Sequence, residues 1–415
     1  MGLKMMFFVF GLVGLMMIGG KGEDDDNKHK EYSAIYNFGD SNSDTGTFSA
    51  AFAMVFPPNG QNFPGKFPTR NCDGRLIIDF ISEELKMPYL SAYLDSIGSN
   101  FSYGANFAAG GSSIQKTGFS PINFGLQISQ FIQFKSRTMA LYNETSHTRV
   151  DASFKSRLPK SINFSNALYI IDIGQNDLSF GFMSSDIKSL RSTIPNILSQ
   201  FSLGLQVNFV RSLTSTKDKT NLEYINGYIP LFTNQFCRIK LGLKSRFFWI
   251  HNTGPIGCLA RKNMMNEVTY EELDSAGCRK NENEIADEFN KQLKDIVFEL
   301  RRNLTNAIFI YVDVYSAKYE LIKNARNQGF VNPKKLCCGS RSVRYFDCGR
   351  KKIKNGEEEY YKCKDASKYI SWDGVHYSEA ANKWLSTLIL NGSFSHPSLP
   401  IGMLASQSLK QTLGH

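Results

Sequence analysis

The stretch Tyr32–Gly46, YSAIYNFGDSNSDTG, joins an apolar run to a Gly-Asp-Ser turn and decides the fold class. Its first half has the aromatic and β-branched character of a strand, and the glycine turn ends that strand abruptly. The turn would present Ser41 at the carboxyl end of the strand, as a nucleophile requires. Near the other end of the chain, Trp372–His376 has the sequence WDGVH and supplies a carboxylate and an imidazole. Together the two stretches predict a hydroxyl nucleophile with a histidine base.

Apolar runs of strand character alternate with segments of helical periodicity along the chain. The predicted strands are Ala34–Phe38, Ala167–Ile173, Arg246–His251 and Ala307–Val314. Apolar residues within 187–205 and 285–300 keep to one helical face, and Ser378 is a candidate cap for a last helix. Apolar strands between amphipathic helices indicate an α/β protein with a parallel sheet covered on both faces.

Polar turns follow three of these strands, at Gly39–Ser41, Gly174–Asp177 and Asn252–Gly254. Because ligands of such sheets lie outside the carboxyl ends of the strands, we expect all three turns at one edge. A catalytic triad needs a hydroxyl, a base and an orienting carboxylate that meet in space, whatever their separation in sequence. Ser41 and His376 therefore remain compatible partners at opposite ends of the chain.

Elimination among the six histidines favours His376 as the base. Those in the N-terminal leader, a polar stretch or the C-terminal tail are His29, His147, His396 and His415. His251 ends a buried strand, where a histidine is more often structural. His376 follows Asp373 in a tight Asp-Gly turn before a helix. The alternative interpretation is a surface histidine at the start of a capped helix.

The N-terminus and the cysteines predict secretion. Residues 1–22 combine a basic start, an apolar run and small residues before an acidic stretch, which is typical of a signal peptide; an uncleaved membrane anchor is the alternative. No later segment is long and apolar enough for stable membrane insertion. Eight cysteines, without any Cys-x-x-Cys pair, favour disulfides over a metal site. The connectivity stays open, except that neighbouring Cys337 and Cys338 should have different partners.

The rest of the sequence is interpreted as one domain over 30–392 and a C-terminal tail over 393–415. The net charge of +10 is spread along the chain, which argues against nucleic acid as a partner. Attraction to an acidic cell-wall polymer is one interpretation of this charge, and a solvated surface is the other. N-glycosylation sequons, which secretion would make available, begin at Asn100, Asn143, Asn163, Asn303 and Asn391.

Four ordered blocks resemble the GDSL, or SGNH, esterase/lipase family of plants. They are FGDSNSDTG (Phe38–Gly46), NFAAGGSSI (Asn106–Ile114), IGQND (Ile173–Asp177) and WDGVHYSEAAN (Trp372–Asn382). The nearer likeness is to the branch with early nodulin esterases and proteins labelled alpha-fucosidase. This resemblance implies a three-layer, flavodoxin-like fold with a central parallel sheet. One departure is Thr47, where many relatives have Asn.

Carried over by position, the resemblance implies Ser41 as nucleophile, with Asp373 and His376 completing the triad. It also implies an oxyanion hole made of the Ser41 and Gly111 N–H groups and the Asn176 side chain. Two neighbouring residues bear on these roles. Gly110 rivals Gly111 as the backbone donor, and Asp40 is interpreted as a structural hydrogen-bond partner.

The predicted activity is that of a secreted, extracellular carboxylic ester hydrolase of the cell wall or apoplast, using no metal or organic cofactor. The resemblance suggests a small-molecule, carbohydrate or lipid ester with a short or medium acyl group. The same acyl-enzyme could instead transfer its acyl group to an alcohol. Two competing hypotheses are a glycosidase, which would need two carboxylates around a glycosidic bond, and a catalytically idle binding module.

Overall fold

The computed structural model describes residues 32–143, 152–206, 246–261, 269–305, 307–339, 348–350, 353–354, 357–358 and 361–403. Its strands are β1 (Ala34–Gly39), β2 (Gly104–Asn106), β3 (Ala167–Asp172), β4 (Arg246–His251), β5 (Ala307–Val312), β6 (Cys338–Gly339), β7 (Ile353–Lys354), β8 (Glu357–Glu358), β9 (Tyr361–Lys362) and β10 (Ser395–His396). Its α-helices are α1 (Thr47–Ala51), α2 (Ile77–Glu84), α3 (Phe124–Asn143), α4 (Ala152–Ser156), α5 (Ser161–Ser165), α6 (Gln175–Ser184), α7 (Ile187–Leu203), α8 (Lys280–Asn303), α9 (Val314–Lys323) and α10 (Glu379–Leu390). Short 3-10 turns occur at Ile256–Cys258, Tyr270–Glu272, Ala366–Lys368 and Ile401–Met403.

Six strands form the central sheet in the order β10-β5-β4-β3-β1-β2. Neighbours among β1 to β5 pair in parallel, whereas β10 is antiparallel to β5. The predicted α/β architecture with a parallel sheet is therefore confirmed. The fourth predicted strand ends two residues early, at Val312, because the Asp313 side chain accepts a 3.0 Å hydrogen bond from Ser316 N–H and caps α9.

Both faces of the sheet are buried, as the continuous apolar strands predicted. On one face, four rings from adjacent strands stack in register: Tyr36, Tyr169, Phe248 and Phe309, with successive centroids 5.4, 5.2 and 4.7 Å apart. Helices α3, α7 and α8 cover this face, and α2, α9 and α10 cover the other. The β-strand alternation sends successive side chains to opposite layers.

Three disulfides link cysteines of the C-terminal half: Cys258–Cys278, Cys337–Cys363 and Cys338–Cys348. Cys337 and Cys338 have different partners, as predicted. Cys72 is buried and forms no disulfide among the described residues, and Cys237 lies outside them. Within the described ranges, no helix is long and apolar enough to cross a membrane.

Candidate active site

Ser41 lies in the turn that follows β1 and is half-buried. Ser43 N–H donates to the Asp40 carbonyl at 3.1 Å, and Asn42 N–H donates to Asp40 Oδ1 at 2.9 Å, so that the turn is held by its own backbone and by one carboxylate. Gly39 has no room for a side chain, since a Cβ there would lie 2.5 Å from the Asp172 carbonyl oxygen. The glycine therefore allows β1 to run close to β3 before the serine.

Gln127 of α3 holds the last residue of β1 in place. Its side-chain oxygen accepts from Gly39 N–H at 2.9 Å, and its amide donates to the Gly39 carbonyl at 2.8 Å. Beneath the turn, the buried side chains of Asn37 and Asn106 bond to each other at 2.7 Å, and both also bond to Ser43. The serine turn thus rests on a network of amides.

His376 and Asp373 form a buried pair in the loop before α10. Asp373 Oδ2 lies 2.6 Å from His376 Nδ1, and Asp373 Oδ1 accepts from the N–H groups of Val375 and His376 at 2.9 and 2.8 Å. Burial alone would raise the pKa of Asp373, but His376 and these hydrogen bonds hold that pKa below its ordinary value. An ionised carboxylate at Nδ1 favours the tautomer in which Nε2 accepts a proton.

The segment that carries Cys337 and Cys338 is hydrogen-bonded to this loop. The N–H groups of Cys337 and Cys338 both donate to the Trp372 carbonyl, at 2.9 and 2.7 Å. Within the loop, Trp372 N–H donates to the His376 carbonyl at 2.8 Å. Gly374 has a positive φ of 97°, and a Cβ there would meet the Arg261 Cβ at 2.9 Å. The Asp-Gly turn therefore needs its glycine.

The serine turn and the loop before α10 are related through Asp40. Asp40, next to Ser41, interacts electrostatically with His376. Asp40 Oδ2 also accepts a 3.2 Å hydrogen bond from the side chain of Asn176, which lies in the first turn of α6, after β3. The structural role expected for Asp40 agrees with these contacts.

Gly110 and Gly111 lie in the loop after β2, the glycine loop, and their backbone N–H groups have different surroundings. Gly110 N–H donates to Asp44 Oδ2 at 2.7 Å and is therefore occupied. Gly111 has a positive φ of 76°, and its N–H has no hydrogen-bond partner among the described residues. Of the two glycines, Gly111 is therefore the stronger candidate for a backbone donor.

The side-chain amide of Asn176, the third candidate donor, already makes two hydrogen bonds. Its amide nitrogen donates to the Ser112 carbonyl at 2.9 Å, in addition to Asp40. The longer bond to Asp40 is the weaker of the two by distance. Asp177, the next residue, accepts from Ile114 and Gln115 N–H groups at 2.8 and 3.0 Å, and burial raises its pKa to about 6. Both residues of this pair therefore tie α6 to the glycine loop.

A cluster of ionisable side chains, buried except for the partly buried Asp172, lies beside the serine turn and was not predicted from the sequence. It consists of Asp40, Asp172, His251 and Lys318. His251 Nδ1 lies 3.6 Å from Asp172 Oδ2, too long for a good hydrogen bond but close enough for an ion pair. Lys318 interacts electrostatically with both aspartates. Burial and the Asp172 charge raise the pKa of Asp40 to about 7, against opposing effects of Asn42, His376 and Lys318.

Lys318 had one signal in the sequence. Val314, Lys318 and Ile322 are spaced by four residues, so that the lysine occupies the buried side of α9 between two apolar residues. Its side chain passes over Gly254, whose Cβ would lie 2.9 Å from Lys318 Cδ, and its ammonium lies 5.1 Å from the centroid of the Tyr377 ring. A charged residue at an apolar helix position was the missed clue.

The predicted glycosylation sequons occupy different environments. Asn100, Asn303 and Asn391 are exposed. The Asn163 side chain is partly buried and donates to the Ser33 carbonyl at 2.7 Å. Asn143 ends α3, and the rest of its sequon lies outside the described residues.

No group of three or more His, Cys, Asp or Glu side chains suited to a metal ion occurs in the described ranges.

Comparison with known proteins identifies the family of this chain. The family model described as GDSL-like lipase/acylhydrolase matches residues 35–389. A GDSL esterase/lipase of Arabidopsis thaliana is 45% identical over 372 residues, covering 89% of this chain and 90% of that protein. Alpha-L-fucosidase 3 of Arabidopsis thaliana is 42% identical, with 87% and 91% covered, and the GDSL esterase/lipase ENOD8 of Medicago truncatula is 37% identical, with 90% of each covered. The resemblance to the early nodulin and fucosidase-labelled branch is confirmed.

Proposed function

Since the chain belongs to the GDSL-like lipase/acylhydrolase family and is a carboxylic ester hydrolase, we propose that it works through an acyl-serine intermediate on Ser41. The observation that carries this proposal is the buried Asp373–His376 pair, joined at 2.6 Å and interacting electrostatically with Asp40, the neighbour of Ser41. A serine hydroxyl is a weak nucleophile until a positioned base takes its proton.

In the first half-reaction, Ser41 Oγ attacks the ester carbonyl carbon while His376 Nε2 accepts the hydroxyl proton. Asp373 holds the imidazole in the required tautomer and stabilises the imidazolium. The resulting oxyanion would accept hydrogen bonds from the N–H groups of Ser41 and Gly111, and from Asn176 once its bond to Asp40 is exchanged for one to the substrate. The C–O bond to the alcohol then breaks, and His376 returns the proton to the leaving alkoxide.

In the second half-reaction, water replaces the alcohol. His376 removes a proton from that water, which attacks the acyl carbon, and the bond to Ser41 Oγ breaks with protonation of the serine. The products are a carboxylic acid and free enzyme. An alcohol in place of water would make the same intermediate an acyltransferase.

The test compares p-nitrophenyl acetate hydrolysis by the purified wild type and by Ser41→Ala. Activity confined to the wild type, together with covalent labelling of Ser41 by a serine-directed phosphonate, is the expected result. Equal activity in both proteins would refute Ser41 as the nucleophile. Adding a competing alcohol and analysing the products separates hydrolysis from acyl transfer.

Cleavage of a fucoside is a second candidate, favoured by the 42% identity to a protein named Alpha-L-fucosidase 3. Glycosidases use two carboxylates that flank the scissile bond. Here Asp373 is committed to His376, and Asp40 accepts from Asn42 and Asn176. We therefore expect acetyl esters to be cleaved and a p-nitrophenyl fucoside to remain intact; the reverse result would favour the glycosidase.

The substrate and the compartment are part of the same proposal. Esters with short or medium acyl groups, such as acetylated carbohydrates or specialised metabolites, are the expected substrates. Disulfides persist in oxidising compartments, which supports secretion to the cell wall after removal of residues 1–22. N-terminal sequencing of the protein recovered from the medium would locate the cleavage site. The net charge of +10 supports weak binding to an acidic wall polymer, measurable as salt-dependent retention.

A further inference from the structure

Two aromatic rings lie beside the groups assigned to the oxyanion hole. A Cβ built on Gly111 would lie 3.1 Å from Phe119 Cβ, which places Phe119 against the glycine loop. Phe180 follows Asn176 by four residues in α6, so that the two side chains share one face of the helix. The rings of Phe119 and Phe180 meet edge to face, with centroids 5.5 Å apart and planes at 80°.

This aromatic pair is open to solvent. Phe119 is 46% exposed, Phe180 is half-buried, and Met183, three residues further along α6, is 59% exposed. Single exposed apolar residues are common, but here the Phe119 ring contacts the Phe180 ring next to the glycine loop. Apolar walls with a few convergent polar groups are the usual composition of a small-molecule site.

We propose that Phe119 and Phe180 form the acyl subsite, which holds an unbranched, apolar, medium-length acyl chain while the carbonyl oxygen faces Gly111 and Asn176. This inference rests on the proposed function and adds a substrate class to it. An acetyl group is too short to cover the ring pair, whereas a butyryl or hexanoyl chain extends across it.

The proton transfers decide which half of the ester lies on the rings. His376 must protonate the alkoxy oxygen, so the alcohol half lies on the side of His376. The carbonyl oxygen is held by the donors at Gly111 and Asn176. The acyl chain is the remaining substituent of the tetrahedral carbon, and the rings that flank both donors offer it an apolar surface. The acyl chain remains in contact with the rings in the acyl-enzyme intermediate.

The experiment measures kcat/KM for p-nitrophenyl acetate, butyrate and hexanoate. In the wild type we expect kcat/KM to rise by up to about fourfold for each methylene that the rings cover. Phe119→Ala and Phe180→Ala should each flatten this rise while acetate hydrolysis stays within about threefold of the wild type. Phe154→Ala is the matched control, because Phe154 is also an exposed phenylalanine, at 50%. It lies in α4, which precedes β3 in the sequence, whereas the proposed site follows the carboxyl end of that strand.

A second series keeps the acetyl group and lengthens the alcohol. The proposal expects the two variants to leave this series unchanged. It is overturned if both variants keep the wild-type rise with acyl length, or if the alcohol series changes instead. Uniform loss at every chain length, acetate included, would also overturn it, because the rings would then only support the glycine loop.

The outcomes separate this inference from the proposed function. Acetate hydrolysis that survives Ser41→Ala refutes the acyl-serine mechanism, whatever the chain-length profile. Serine-dependent hydrolysis with a profile insensitive to Phe119 and Phe180 keeps the mechanism and rejects the acyl subsite.

Discussion

Gly110 N–H donates a 2.7 Å hydrogen bond to Asp44 Oδ2, and this bond ties the glycine loop to the serine turn. The same buried carboxylate accepts from three N–H groups at the start of α1, those of Gly46, Thr47 and Phe48. One side chain thus fixes two loops that carry proposed oxyanion donors. Because the bond occupies Gly110 N–H, Gly111 is the glycine proposed as a donor.

The first prediction concerns Asp44→Asn. The amide would turn an N–H group toward backbone N–H donors, leaving at least one of them unsatisfied in a buried place. We expect kcat for p-nitrophenyl acetate to fall roughly tenfold with little change in KM, because a displaced donor costs at most about 100- to 1000-fold. Stability should fall by about 2 kcal/mol.

Asp186→Asn is the control for Asp44→Asn. Asp186 is an exposed cap of α7 that accepts from Ser189 N–H at 2.9 Å, and asparagine caps helices equally well. Its kcat and melting temperature should match those of the wild type. An unchanged kcat in Asp44→Asn despite a lowered melting temperature would show that Asp44 serves stability alone.

The second prediction concerns Asp373→Asn, which keeps the shape of the side chain but removes the charge next to His376. The amide cannot hold the Nδ1–H tautomer, so kcat should fall on the order of 1000- to 10000-fold while KM changes little. Steady-state kinetics of both proteins would check this. A fall of less than tenfold would contradict the assigned role.

Asp373 also affects how the stability of the folded protein depends on pH. Its pKa is lowered in the folded protein, so its contribution is present above the unfolded value of 3.8 and is lost as the pH falls through the lower folded value. Asp373→Asn should therefore lose less stability than the wild type on acidification from about pH 4 to pH 2. Urea titrations at both pH values would measure the difference.

The sequence predicted the parts of this molecule that depend on local pattern. Apolar strands bounded by polar turns predicted four strands, and the order of elements predicted which turns share an edge. The Asp373–His376 pairing was also predictable, since three residues across an Asp-Gly turn leave few other arrangements. The short strands β2 and β10 were missed because two or three residues carry no periodicity, and partners distant in the sequence determine their pairing.

The electrostatic contacts of the site could not be predicted from the sequence, because they join residues that are distant along the chain. The choice between Gly110 and Gly111 depends on where a carboxylate 66 residues away in sequence directs its oxygen. The cluster around Asp40 is assembled from the ends of several elements, including Lys318 of α9. The spacing of α9 marks Lys318 as a buried lysine, but it does not identify the carboxylates that Lys318 meets.

The third prediction concerns glycosylation. The Asn163 side chain is held by Ser33 and by Lys160 N–H, which donates to Asn163 Oδ1 at 2.9 Å, whereas Asn100 is exposed. A glycan on Asn163 would displace the bond to Ser33, so Asn100 should be occupied and Asn163 empty in the secreted protein. Ser102→Ala should increase gel mobility, and Ser165→Ala should not. A glycopeptide containing Asn163 would contradict this.

The fourth prediction concerns Lys318→Met and pH. Lys318 lowers the pKa of Asp40, which burial and Asp172 raise to about 7. Ionised Asp40 accepts from Asn42 N–H and so holds the serine turn, and we therefore take the ionised form as the active one. Losing the ammonium should raise the pKa of Asp40 further. The acidic limb of the kcat/KM profile should then move to higher pH by about one unit.

The double variant Lys318→Met/Asp172→Asn distinguishes this electrostatic effect from a packing defect. Asp172 raises the pKa of Asp40, so removing both charges should return the acidic limb toward its wild-type position. His251 and His376 also carry ionisable rings at this edge, and both remain in all the variants compared. A packing defect at Lys318 would lower kcat at every pH without moving the limb, and the double variant would not restore it. A limb that stays in place in Lys318→Met, or that moves to lower pH, would show that the ammonium does not control the ionisation of Asp40.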